Sequence, residues 1–123
     1  MNIVDSSGWL EYFADGPNAK HYVDPLSESS SLIVPIITIY EVFKVVLRES
    51  SENNALQSVT AMQKGRVIDV GATIAIEAAR LGLILNLAMA DCIILATARA
   101  YECTIWTQDS DFQNIEGVRF FPT

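Results

Sequence analysis

Asp5, Glu41, Asp91 and Asp109 are carboxylates drawn from widely separated points of a 123-residue chain, and each stands where a structural element begins or ends. Asp5 closes the apolar start Asn2-Ile3-Val4. Glu41 lies in Thr38-Ile39-Tyr40-Glu41-Val42, just after the Leu32-Ile33-Val34 run. Asp91 sits in Ala88-Met89-Ala90-Asp91-Cys92-Ile93-Ile94, and Asp109 follows Thr104-Ile105-Trp106-Thr107. Carboxylates gathered from distant segments repel one another and are tolerated together when cations lie between them. The pattern points to a divalent-metal site.

No rival chemistry competes. The chain has no G-x-x-x-x-G-K-[ST] phosphate loop, G-x-G-x-x-G turn or G-x-S-x-G elbow. Ser6 and Ser7 lack a nearby histidine base, and the one histidine, His21, lies in a polar stretch and reads as a surface residue. Cys92 and Cys103 fall in apolar segments without a CxxC or Cys/His cluster, so they read as buried reduced thiols rather than zinc ligands or nucleophiles.

The elements that must position the acids alternate. Strand signals fall at Asn2–Val4, Leu32–Val34, Val67–Val70, Thr104–Thr107 and Val118–Phe121. Helical spacing covers Gly8–Ala14, Asn18–Ser29, Ile39–Arg48, Ala55–Lys64, a long stretch from Thr73, and Asp91–Tyr101. Alternating strands and helices imply a parallel sheet covered by helices, with ligands gathering beyond the carboxyl ends of its strands. Asp5 and Asp109 follow strands, while Glu41 and Asp91 are expected in the first turns of helices. All four can converge on one rim.

Each acid also has a structural reading. Asp5 can cap the helix after it. Thr38 and Glu41 have capping-box spacing. Asp91 suits a helix N-terminus electrostatically. Asp109 and Asp111 can bond the backbone of the Gln108–Phe112 turn. Asp91 resists this treatment best, because it interrupts the nearly continuous apolar stretch from Leu81 to Ala98. A carboxylate there is costly unless it faces a cleft or a cation.

One domain over residues 1–123 is expected from the length. Half the residues are hydrophobic, yet no apolar run reaches the roughly 18 residues of a membrane helix. The surplus apolar surface is expected to cover a subunit interface, with Ile36–Leu47 the candidate, in a cytoplasmic homo-oligomer without membrane attachment. The net charge of −7 argues against a broad basic nucleic-acid face. It leaves room for a nucleic-acid enzyme whose metal ions supply positive charge locally.

Four motifs in order resemble the PIN domain, in particular the compact toxin ribonucleases of VapBC toxin–antitoxin pairs. They are Asp5-Ser6-Ser7 with Trp9-Leu10, Thr38-Ile39-Tyr40-Glu41-Val42, Ala90-Asp91-Cys92-Ile93-Ile94-Leu95-Ala96-Thr97-Ala98, and Thr107-Gln108-Asp109-Ser110-Asp111-Phe112. The resemblance implies a three-layer α/β/α sandwich with a mainly parallel central sheet. It implies that Asp5, Glu41, Asp91 and Asp109 are the metal-binding and catalytic acids, with Ser7, Thr107 and Asp111 in support. All-oxygen ligation suits Mg²⁺ or Mn²⁺. The implied function is a metal-dependent endoribonuclease, the toxin of a type II system, acting on RNA as a homodimer and blocked by an arginine-bearing tail of a VapB-like antitoxin. Two departures stand out: Cys92 where a small alanine is common, and Trp106 where an aliphatic residue is usual. The competing expectations are a non-catalytic protein-binding module, in which the acids are only caps, and a structure-specific DNA nuclease of related fold.

Overall fold

Five short β-branched runs form strands because each is bounded by a turn former or a helix cap, and longer amphipathic stretches between them close as helices. The structure, a computed structural model, describes residues 1–123. The strands are β1 (Asn2–Val4), β2 (Ile33–Pro35), β3 (Arg66–Ile68), β4 (Thr104–Thr107) and β5 (Val118–Phe120). The helices are α1 (Ser6–Phe13), α2 (Val23–Ser27), α3 (Ile36–Glu49), α4 (Glu52–Met62), α5 (Ala72–Leu85) and α6 (Met89–Ala100). Short 3-10 turns occupy Ala19–Tyr22, Ser29–Ser31 and Ser110–Phe112.

Every strand pair is parallel. β1, β4 and β5 form one ladder and β2 and β3 another. A parallel bridge between Asn2 and Leu32 joins them in the order β3–β2–β1–β4–β5. Side chains alternate across this sheet. Ile3, Ile33, Ile68 and Ile105 face a core shared with Ile74, Ala78 and Leu81 of α5 and with Ile94, Leu95 and Ala98 of α6. Val4, Leu32 and Val34 face the opposite core, with Trp9 of α1, Val42 of α3 and Met62 of α4. Two cores on two faces of one sheet make the expected α/β/α sandwich. Each fully buried aliphatic side chain contributes roughly 1.5–3 kcal/mol to it.

Local chemistry moves several element boundaries away from the sequence expectation. The helix expected over Asn18–Ser29 breaks into a 3-10 turn and the five-residue α2. Pro25 has no N–H for an i−4 bond, so it fits only the first turn of a helix and prevents one continuous helix through it. α3 begins at Ile36, directly after Pro35, so Glu41 lies in its second turn rather than its first. The Leu81–Ala98 apolar stretch is split where α5 ends on left-handed Asn86 (φ 54°). α5 and α6 therefore meet at a bend of 117°. No single helix is long and apolar enough to cross a bilayer.

Candidate metal centre

The parallel register of β1 and β4 pairs Val4 with Trp106, and the next step along both strands sets Asp5 opposite Thr107. Asp5 is the N-cap of α1, and its backbone N–H donates to the Trp106 carbonyl (3.2 Å). Its Oδ1 accepts from Ser7 Oγ (2.7 Å) and from the Gly8 N–H (3.0 Å), and its Oδ2 accepts from Thr107 Oγ1 (2.6 Å). Each hydroxyl has one proton, and both are thereby committed to Asp5. The two oxygens also serve as acceptors, Thr107 Oγ1 for the Asp109 N–H (2.9 Å) and Ser7 Oγ for the Gln108 N–H (3.2 Å). The 3.3 Å approach of Ser7 to Thr107 is then a contact without a proton of its own. Ser7 and Thr107 thus fix Asp5 and the loop that carries Asp109.

Burial raises the Asp5 carboxyl to about 6, against the opposing pull of the Thr107, Ser7 and Gly8 hydrogen bonds, with a further push from Asp109. Asp91, the third residue of α6, accepts no hydrogen bond and is raised to about 7. Burial is the largest cause; the charges of Asp109, Glu41, Asp5 and Asp111 follow in that order. All four charges act on Asp91, so the five acids lie near one another although the sequence separates them. No arginine or lysine answers them: the ion pairs of the chain, Arg48–Glu49 and Arg80–Glu77, lie elsewhere on the surface.

Asp91, Asp109 and Asp111 each place a carboxylate oxygen within 4.8 Å of the others. Asp111, read from sequence as a supporting residue, therefore stands among the ligand-distance acids. Its charge weighs least on Asp91 because it is exposed and water screens it. Asp109 also holds the turn, its Oδ1 accepting from the Asp111 N–H (2.9 Å). Glu41 and Asp5 lie outside this triplet. The expected Thr38–Glu41 capping box does not form. Thr38, inside α3, donates instead to the Pro35 carbonyl (2.7 Å), and Glu41 Oε1 accepts from Ser6 Oγ (2.5 Å). Sequence spacing marked neither Ser6 nor the rank of Asp111, since both depend on how a helix and a turn meet in space.

Trp106, by strand parity, faces away from this centre. Its Nε1 donates to Asn2 Oδ1 (2.9 Å), and its ring lies beneath the Arg119 guanidinium (4.3 Å). Cys92 is buried behind Asp91 with its thiol donating to the Leu87 carbonyl (3.4 Å). Neither departure removes an acid. Beside the centre, a groove of about 860 Å³ runs between α1, α3 and α4, lined by Leu10, Phe13, Val45, Val46, Glu11 and Glu49, and reaching Ser7 and Gln108. It adjoins the acids and contains none of them.

A parallel three-layer domain with a cluster of uncompensated acids beyond its strand ends belongs to the class of α/β folds whose ligands sit on that rim. The PIN-domain family model matches residues 3–118, and the chain belongs to that family. Its fold is similar to a chain of a toxin–antitoxin complex from Klebsiella pneumoniae (TM-score 0.84, 22% identity, 100% of both chains). It is similar also to the sarcin–ricin-loop-cleaving toxin VapC20 of Mycobacterium tuberculosis (TM-score 0.80, 16% identity, 100% of this chain and 98% of that one). A DNA-bound VapBC of Salmonella typhimurium gives a TM-score of 0.75 at 16% identity, over 99% of this chain and 98% of that one. No curated protein matches by sequence.

Proposed function

We propose that this chain is a VapC-like toxin, a single PIN domain over residues 1–123 that cleaves RNA with Mg²⁺ or Mn²⁺ held by Asp5, Glu41, Asp91 and Asp109, with Asp111 beside them. The observation that carries the reading is the convergence of these carboxylates without a protein cation among them. The donor set fits the ion: the carboxylate groups are hard oxygen ligands, and no thiol or imidazole joins them. A bound divalent ion supplies Lewis acidity to a scissile phosphate and lowers the pKa of a water ligand. Asp5, Glu41, Asp91 and Asp109 would hold it, Asp111 lies at ligand distance from Asp91 and Asp109, and Ser7 and Thr107 fix the Asp5 carboxylate. Without such an ion these acids repel a phosphodiester, so cation binding and RNA binding are coupled in this reading.

The partners follow the same logic. A VapB-like antitoxin fits the groove between α1, α3 and α4: its apolar walls suit a helix face, and Glu11 and Glu49 suit a basic tail leading to the acids. A homodimer is supported by exposed apolar side chains flanking the α5–α6 bend, Leu83 (91%), Ile84 (76%) and Met89 (74%), together with Tyr40 (58%) from the Ile36–Leu47 segment. The proposed compartment is the cytoplasm, where RNA and antitoxin are at hand.

The test is induction of wild type and Asp5→Ala in cells, followed by sequencing of new RNA 5′ ends. Growth arrest and discrete cleavage sites confined to wild type support the reading. Equal growth and identical 5′ ends would exclude it and leave the protein-binding module in its place.

A further inference from the structure

Glu41 is the acid whose backbone does least to place its carboxylate. It projects from the second turn of α3 on a side chain with many rotamers, and the helix alone does not choose among them. Its hydrogen-bond partner in the structure is Ser6, whose Oγ donates to Oε1 at 2.5 Å. That is the length of a charge-assisted O–H···O⁻ bond, shorter and stronger than a neutral one. Ser6 is the first residue of α1, directly after Asp5, so the backbone that sets Asp5 through the β1–β4 register carries this hydroxyl as well. The bond spans 35 positions of sequence and ties the position of Glu41 to that of Asp5. Oε2 accepts no hydrogen bond and is free to face the centre, where the charge of Glu41 is felt at Asp91.

We propose that Ser6 is a positioning residue that presents Glu41 Oε2 to the divalent ion, so that its hydroxyl sets metal affinity. The proposal rests on reading the acids as a divalent-metal centre. A simple staple between α1 and α3 would use the same hydrogen bond, but its loss would weaken the fold and leave the metal affinity of folded protein unchanged. Loss of a group that orients a metal ligand costs about 10- to 100-fold in metal affinity.

The experiment uses full-length wild type, Ser6→Ala, Ser6→Thr, Glu41→Gln and the Ser6→Ala/Glu41→Gln double variant, each checked for folding by circular dichroism in EDTA. Mn²⁺ binding is read directly from the electron paramagnetic resonance signal of free Mn²⁺, with RNA cleavage followed against Mn²⁺ concentration in parallel. Ser6→Ala is expected to bind Mn²⁺ about 10- to 100-fold more weakly and to recover cleavage at high Mn²⁺. Ser6→Thr keeps the hydroxyl and stays near wild type. In the Glu41→Gln background, Ser6→Ala is expected to add less than about two-fold, since the two residues act through one interaction. Wild-type Mn²⁺ affinity in Ser6→Ala, or an undiminished effect in the Glu41→Gln background, overturns the proposal while the metal centre stands. If wild type itself takes up no Mn²⁺, the metal reading fails and this proposal with it.

Discussion

Replacing Asp91 with asparagine should stabilise the metal-free protein and weaken the metal-bound one. Burial, then the charges of Asp109, Glu41, Asp5 and Asp111, raise the Asp91 carboxyl from its ordinary 3.8 to about 7. The folded state then holds a proton that the unfolded chain has released, so stability is full below about pH 4 and is lost as pH rises towards 7. At full value this shift corresponds to about 4 kcal/mol. Asp91 is only partly buried, and solvent screening reduces the working figure to about 2 kcal/mol. Asparagine keeps the shape and removes the charge, but forfeits about 0.5 kcal/mol of favourable interaction with the N-terminus of α6. The net gain is about 1.5 kcal/mol at pH 8 in EDTA, a rise of about 5 °C in melting temperature. Most of that gain should be gone at pH 5, where the folded wild type already carries a protonated Asp91. Saturating Mn²⁺ should invert the order, because wild type gains about 2.7 kcal/mol at 100 times its Kd and the variant has lost a ligand. Thermal melts of both proteins at pH 5 and pH 8 in EDTA, and at pH 8 with Mn²⁺, measure all of this. An asparagine variant less stable than wild type at pH 8 in EDTA, or equally favoured at both pH values, would refute the clustering of charge on Asp91.

Thr107→Val removes the donor to Asp5 Oδ2 and the acceptor of the Asp109 N–H. Urea unfolding should show a loss of about 1–3 kcal/mol, larger at pH 8 than at pH 5 because the Asp5 carboxyl climbs further above about 6. Gly8→Ala would bring a methyl within 2.6 Å of both Tyr22 Cε1 and Val4 Cγ1, with an expected cost of about 1–3 kcal/mol by the same measurement. Leu83→Asp, at a 91% exposed position, should leave the melting temperature near wild type while light scattering after gel filtration reports a monomer. A persistent dimer would exclude that corner as the interface.

Much of the fold was legible because its strands are short β-branched runs set between helical periods, and a sheet buried on both faces demands that composition. The acids were legible as a set for a related reason: Asp5 and Asp109 follow strands, and Asp91 interrupts an otherwise apolar stretch. What escaped depends on relations between elements. Pro25 divided a helix that composition alone made continuous. Thr38 and Glu41 have capping-box spacing, but α3 starts early enough on Pro35 to put both inside it, and Glu41 turns to Ser6 across 35 positions of sequence. Asp111 looked like a turn residue, and it became a ligand-distance acid only once the 3-10 turn aimed it at Asp91. Leu83 and Ile84 are exposed because they lie off the Ile74, Ala78 and Leu81 stripe that α5 buries.

The central claim is that these acids bind a divalent ion in order to cut RNA, and cleavage by purified protein tests it most directly. Structured and single-stranded RNA are incubated with wild type, Asp5→Ala and Asp91→Ala in Mg²⁺, Mn²⁺ or EDTA. The account predicts discrete cleavage by wild type with either metal, none in EDTA, and a loss of at least about 100-fold in both variants, the scale expected when the group holding a reaction's charge is removed. Cutting that persists in EDTA, or that proceeds equally in Asp91→Ala, would contradict it.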